Sequence, residues 1–295
     1  MIKRILATLL LVLGISAATK AETYFQYPIV PDSITSFTGR CDYLAEHFFD
    51  FCDLQKAFSN RQRMGEEFKV YLTILSNARA DVAVANAEAL MKRLEKQPQN
   101  QLYLARLAEG SLYGDTAQMW IDGLYLPFAR AVAANKKLDK AERARFEHQA
   151  TTLANSLVGK RIAPLKYTLA DGSERTLGTD TVAVTVVFFN DPECSDCSMA
   201  RLRLHADVST SQLIDEGRLK VIAISLADPT DEAWRRSVAD YPSTWTVGAN
   251  PDADLTLDLR DGTPDFYVLD SRNRVKFKHL GVDQVIDISR QLKGR

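Results

Sequence analysis

The sequence is poor in cysteine and histidine and almost without net charge, and each scarcity excludes something. Four cysteines in 295 residues cannot staple a minimal disulfide scaffold. The four histidines, His47, His148, His205 and His279, are scattered, so the chain offers no second clustered pair of ligands for a four-coordinate zinc. With 37 Lys plus Arg against 38 Asp plus Glu, the formal charge of -1 gives no field to gather nucleic acid or an anionic membrane. No apolar run reaches the roughly 20 residues that span a bilayer, which argues against a permanent membrane anchor. No internal repeat is visible, and 14 Gly and 10 Pro exclude a collagen-like or low-complexity chain.

What is present is an ordinary globular composition, 46% hydrophobic and 25% charged, at a length that suits two domains. The chain starts with Lys3 and Arg4, an apolar run from Ile5 to Ala18, and small residues at Ser16, Ala17, Ala18 and Ala21. That is the layout of a secretory signal peptide over residues 1–21. The first cysteine is Cys41, so no lipid-attachment cysteine lies at the cleavage point. Removing Lys3, Arg4 and Lys20 leaves 34 cations against 38 acids, a mature charge of -4. Export, most simply to the periplasm, would place the cysteines where disulfides persist.

Residues 22–156 read as an all-helical domain. Apolar residues recur three and four apart, as at Tyr43, Leu44, His47, Phe48 and Phe51, and at Tyr71, Leu72 and Leu75. A turn is expected around Pro98, and Pro127 is expected to kink or divide the apolar helix 118–134. The aromatic stripe reads as core rather than as a cofactor site. From Gly159 the texture changes. Residues 162–170 form a short Pro-containing extended segment, Asp171 and Gly172 signal a turn, 181–189 is a β-branched and aromatic run suited to a buried central strand, and 219–226 is another apolar run. Helices near 194–206, 231–240 and 282–292 alternate with these strands, and 266–269 and 275–279 flank a turn at 270–273. Residues 157–295 are therefore expected to form an α/β domain in the order β, α, β, α, β, β, α.

Cys194 and Cys197 form a CxxC directly after the central strand, at the first turn of a helix. A CxxC can be half of a zinc site or a static bridge; at a strand-to-helix junction it points to dithiol redox chemistry. The free amides and partial positive charge of the helix N-terminus stabilise a thiolate, most of all on the first cysteine. Cys194 is thus the candidate nucleophile, and Cys197, one turn into the helix and expected to be more buried, the candidate resolving thiol. Cys41 and Cys52 are eleven residues apart, about 16 Å on one straight helix, whereas a disulfide needs Cα atoms within about 7 Å. Two buried free thiols are expected there, with a structural bridge or a second redox pair as the alternatives if the chain turns back between them.

With Thr263 and Pro264 ahead of the strand near 266, the element order and the CxxC resemble the thioredoxin superfamily over residues 157–295. Gly159, Lys160, Ala163 and Pro164, followed by Asp171-Gly172, look like the periplasmic thiol reductases related to those of cytochrome c maturation. The helical half, around Tyr43 to Leu54, looks like an uncharacterised domain found ahead of such modules in exported bacterial proteins. The resemblance implies a cis Pro264, a Thr263 backbone that pairs with an extended substrate segment, and catalysis by Cys194 and Cys197 without a cofactor or metal. It also implies disulfide- or dithiol-containing protein substrates and an upstream redox partner.

The sequence departs from that pattern at two acids: Phe188 stands six residues before Cys194, and Ala200 stands three after Cys197. Proton transfer would fall to solvent, Glu193 or Asp196. Those two carboxylates also oppose a thiolate, which points to a reducing or intermediate potential. The expected activity is thiol-disulfide oxidoreduction, and the alternative is a non-catalytic protein that binds partners on a thioredoxin-like scaffold.

Overall fold

The computed structural model describes residues 24–294 except 115, 116, 118 and 261. The expected export segment, 1–21, lies outside the described residues. The chain divides into two compact units, one ending at Glu147 and one beginning at His148, nine residues ahead of the boundary drawn from the change in texture.

The first unit is all-helical: α1 (Phe37–His47), α2 (Leu54–Ala57), α3 (Arg61–Asn77), α4 (Ala80–Arg93), α5 (Pro98–Leu112), α6 (Asp122–Ala134) and the first half of α7 (Lys140–Asn155), whose second half belongs to the other unit. Side chains that cap free amides start several of these helices. Ser36 Oγ accepts from Gly39 N–H at 3.1 Å ahead of α1, and Asn60 Oδ1 accepts from Arg63 N–H at 3.1 Å ahead of α3. The turn expected around Pro98 falls earlier, at 94–96, and Pro98 instead begins the next helix, because a first-turn residue has no intrahelical N–H bond to lose. Pro127 does not divide its helix: α6 runs continuously from Asp122 to Ala134. The lost hydrogen bond is outweighed by an apolar face, Leu124, Tyr125, Phe128, Ala129 and Val132, that is buried almost completely. Phe48, Phe68, Tyr71 and Phe128 are likewise buried, with Phe68 and Phe128 edge to face at 5.7 Å, so the aromatic stripe is core.

Cys41 and Cys52 are buried free thiols. Burial pushes both thiols up, Cys52 to about 11, and Asp42 adds to the shift at Cys41.

The second unit holds one seven-stranded sheet. Its strands are β1 (Leu165–Leu169), β2 (Glu174–Leu177), β3 (Val184–Asn190), β4 (Leu219–Ser225), β5 (Thr246–Ala249), β6 (Asp265–Asp270) and β7 (Val275–Leu280), in spatial order β2-β1-β5-β4-β3-β6-β7. β3, β4 and β5 are parallel neighbours; β6 runs antiparallel to β3, and β7 antiparallel to β6. The connecting helices are α8 (Ser195–Ala206), α9 (Val208–Asp215), α10 (Glu232–Ser237) and α11 (Ala253–Thr256), and α12 (Val282–Lys293) closes the chain. β3 is apolar on both faces, as its unbroken run requires: Val186 and Phe188 join the core beneath α8, and Val187 and Phe189 join the core on the opposite face.

The sequence pattern misses β2 and β5. In β5, Gly248 is required by close packing, since a Cβ there would lie 2.5 Å from Tyr167 Cδ2 and 3.0 Å from Thr168 O.

The β6–β7 hairpin contains a buried ionic cluster. Its pairing slips between Phe266↔Leu280 and Val268↔Phe277, so β7 carries an extra residue there. This bulge lets the consecutive residues Lys278 and His279 both be buried, with His279 in the left-handed region at φ 54°. The Asp258 carboxylate accepts from Lys278 Nζ at 2.7 Å, from Arg260 Nε at 3.0 Å and from His279 Nε2 at 3.2 Å, and His279 Nδ1 reaches Asp265 at 3.0 Å. Tyr267 donates its hydroxyl to the Asp258 carbonyl. Burial alone would raise the Asp258 pKa, but the His279 hydrogen bond and the Lys278 and Arg260 charges hold it well below the usual carboxylate range. Burial pulls His279 down, yet its bonds to Asp258 and Asp265 outweigh that and leave its pKa raised.

Two outcomes follow. With the CxxC pair oxidised, the two remaining thiols should react with Ellman's reagent far more slowly in the native protein than after unfolding, at least about 100-fold for Cys52, whose thiol is pushed up to about 11 and is buried. For the cluster, Asp258→Asn should cost about 3–5 kcal/mol in urea unfolding at pH 7, the usual penalty for breaking a buried pair. The lowered Asp258 pKa contributes stability above the ordinary carboxylate pKa, and that contribution is lost as pH falls. The raised His279 pKa contributes stability below about pH 6.5 that is lost as pH rises through the folded value. His279→Asn, which tolerates positive φ, should therefore narrow its deficit against wild type as pH is raised from 6 to 9.

Candidate functional site

β3 ends at Asn190, and the next four residues deliver the chain to α8. Asp191 fixes this loop: its carboxylate accepts from Glu193 N–H at 2.8 Å and its carbonyl from Cys194 N–H at 3.2 Å. Cys194 is the N-cap of α8, with extended backbone (φ -82°, ψ 112°), and its Sγ accepts from Cys197 N–H at 3.0 Å. The first cysteine thus occupies the place a capping Ser or Asp holds on other helices, where the backbone favours negative charge. Cys194 and Cys197 are joined as a disulfide with Cα atoms 5.2 Å apart. Their exposure differs as expected from sequence: Cys194 is half-buried, and Cys197 is 3% exposed.

The Thr263–Pro264 peptide bond is cis. The Thr263 carbonyl oxygen lies 3.9 Å from Cys194 Sγ, so two segments 69 residues apart in sequence meet at the sulfur. Thr263 and Pro264 are both partly exposed. Glu193 and Asp196 flank the cysteines with their side chains in solvent.

Beneath Cys197 the environment is apolar. Phe188 and Phe266 stack there at 4.6 Å and 7°, in one core cluster with Cys197 and Ala200. Asp265 directly follows Pro264, but it alternates with Phe266 along β6 and bonds His279, among the residues of the other face. The buried carboxylate near the cis bond is therefore not on the face of the sheet that holds Cys197.

Supporting residues went unnoticed in the sequence. Asn190, buried at the end of β3, donates to the Phe188 carbonyl at 3.2 Å and accepts from the Tyr241 hydroxyl at 2.8 Å. Arg201, one turn beyond Cys197 on α8, lays its guanidinium over the Tyr241 ring at 4.7 Å. Together these contacts tie α8 to the end of β3. A polar residue ending an apolar run was the only signal for Asn190, and Tyr241 and Arg201 carried none.

Residues 14–156 match the family described as a domain of unknown function (DUF5106). No curated protein matches the chain. Among solved structures, a thioredoxin-like protein from Bacteroides caccae is 22% identical, with 92% of this chain and 99% of that one covered at a TM-score of 0.69. The C-terminal domain of an uncharacterised protein from Bacteroides fragilis is 26% identical over 46% of this chain and 99% of its own, with a TM-score of 0.43. The thioredoxin domain of a thiol-disulfide oxidoreductase from Bacteroides vulgatus is 18% identical over 46% of this chain and 96% of its own, with a TM-score of 0.40. The chain thus carries a DUF5106 domain in its N-terminal part, followed by a domain with the thioredoxin-like fold.

Proposed function

We infer that the protein is a periplasmic thiol-disulfide oxidoreductase that reduces or isomerises protein disulfides through Cys194 and Cys197. The observation that carries this reading is the placement of Cys194. Its sulfur caps a helix, accepts the Cys197 amide at 3.0 Å, and lies beside the carbonyl of Thr263 at a cis-proline, while its partner thiol is buried. The basic and apolar start of the sequence supports export, and no helix among the described residues is long and apolar enough to cross a membrane.

In this cycle the Cys194 thiolate attacks one sulfur of a substrate disulfide. A Cys194–substrate bond forms, and the other substrate sulfur leaves as a thiolate. The Cys197 thiolate then attacks Cys194 Sγ, releasing the second substrate thiolate and closing the Cys194–Cys197 bond. Two electrons have passed to the substrate, and an upstream dithiol must return them. The Thr263 backbone would hold the substrate segment as an added strand. Because apolar side chains surround Cys197 from below, its proton would leave toward the loop and solvent, where Glu193 and Asp196 stand. The same two charges, close to the sulfurs, point to a reducing or intermediate potential.

Cys197→Ser should trap substrates as mixed disulfides on Cys194, visible as reductant-sensitive adducts by mass spectrometry. Replacing either cysteine should lower reduction of insulin by at least about 100-fold. Wild type that fails to reduce insulin, together with a Cys197→Ser protein that traps nothing, would sink the proposal. Partner capture that persists after both cysteines are replaced would favour the scaffold reading.

A further inference from the structure

The helical unit contains a cavity of about 670 Å³ between α4, α6 and the start of α5. Its floor is apolar: Met91, Pro127 and Ala131. Two buried amides hold that floor in place. Gln101 donates to the Met91 carbonyl at 2.9 Å, and Asn135 donates to Gln101 Oε1 at 2.7 Å and to the Glu95 carbonyl at 3.1 Å. These bonds lock the end of α4, the first turn of α5 and the end of α6 to one another, so the cavity is pre-formed.

The rim is cationic. Lys92, Lys96, Arg130, Lys136 and Lys137 surround the opening, against Glu88 and Glu95. None of the five cations is in an ion pair among the described residues, whereas Arg79, Arg106 and Arg145 of the same unit each meet a carboxylate. The C-terminal ends of α4 and α6 face the same region, and their dipoles contribute about half a negative charge each. That offsets only about one of the three excess positive charges. In a chain whose formal charge is -1, this is a local field of the opposite sign.

We propose that this cavity binds a small amphipathic anion, one acidic headgroup on an apolar body. The volume falls in the usual range for small-molecule pockets, about 300–1,000 Å³. The two amides that line the cavity, Gln101 and Asn135, are engaged in bonds within the protein, which argues against a nucleotide that needs such groups for its sugar or base. An apolar body would displace water from Met91, Pro127 and Ala131, and the headgroup would sit among the unpaired cations. The site uses neither cysteine and stands independently of the redox reading.

The test uses 8-anilinonaphthalene-1-sulfonate as a fluorescent probe with the folded full-length protein. The expected result is saturable 1:1 binding that dodecanoate displaces. The uncharged N-phenyl-1-naphthylamine should bind at least tenfold more weakly. Arg130→Glu with Lys137→Glu, both at exposed positions, should weaken the sulfonate at least tenfold, and Ala131→Phe, which fills the floor and leaves every charge, should abolish it. Lys136→Gln with Lys137→Gln serves as a milder pair should the charge reversals unfold the unit, with a weakening of a few-fold expected. Cys194→Ser with Cys197→Ser should bind as wild type does. Absence of saturable binding, equal binding of the uncharged probe, or binding unchanged in the floor and rim variants would overturn the proposal. So would an acidic peptide that displaces the probe better than dodecanoate does, since the occupant would then be a polypeptide.

Discussion

The antiparallel register of β3 against β6 is the constraint on which the site depends. Phe189 pairs with Asp265, so the chain leaving β3 and the chain entering β6 emerge at the same end of the sheet. Cys194 lies five residues beyond the first of these positions, and Thr263 lies two before the second. A slip of one residue would turn Phe188 and Phe266 out of the core beneath α8 and move the Thr263 carbonyl away from the sulfur. The register is held on both faces at once. Phe188 and Phe266 stack on one face, and Phe189 and Tyr267 meet edge to face at 5.5 Å on the other. The geometry of two cysteines and a proline is thus set by aromatic packing several residues away.

The far side of β6 is held by a different force. Asp258, Arg260, Asp265, Lys278 and His279 are buried together, an arrangement that water-exposed charges resist unless each finds a partner. The partners exist because β7 is bulged. In a regular strand Lys278 and His279 would face opposite sides of the sheet, and one of the two would miss Asp258. Asp265 joins this cluster to Pro264 through a single peptide unit. The loop that approaches Cys194 is consequently anchored by directional bonds on the side where apolar packing alone would leave it free to slide.

Much of this was legible in the sequence, and the boundary has physical causes. The central strand, the helix after the CxxC and the turn at 270–273 each rest on local chemistry: an apolar run, a strand-to-helix junction, or an Asn tolerant of positive φ at 273, whereas the cis proline beside the cysteines was implied by the family resemblance. Local chemistry also indicated that Cys197 would be buried and Cys194 more accessible. β5 escaped because it has four residues, one of them a glycine demanded by the Tyr167 ring rather than by any strand pattern. The ionic cluster escaped because its members are scattered from 258 to 279 and meet only through a bulge that no periodicity announces. Of the two outcomes expected at Pro127, division of the helix did not occur, and only the buried face around it shows why the helix continues.

The phenylalanine rings beneath Cys197 bear on how the proposed cycle would resolve. Stacked rings below the resolving thiol raise the cost of its charged form, while the exposed helix end and the Cys197 amide favour the charged form of Cys194. The helix end and the apolar floor therefore act in opposite senses on the two sulfurs, favouring the charged form of the outer and the neutral form of the inner, with Glu193 and Asp196 opposing the first effect. Such a pair attacks readily with its outer sulfur but resolves only when the inner one gives up its proton. With Asp265 on the opposite face of the sheet and committed to His279, no buried carboxylate on that face takes the proton among the described residues. The exit is upward, through the loop that a bound substrate would itself cover. In the proposed cycle, occupancy of the Thr263 edge and deprotonation of Cys197 would then compete for the same space, which favours resolution when the substrate segment begins to leave.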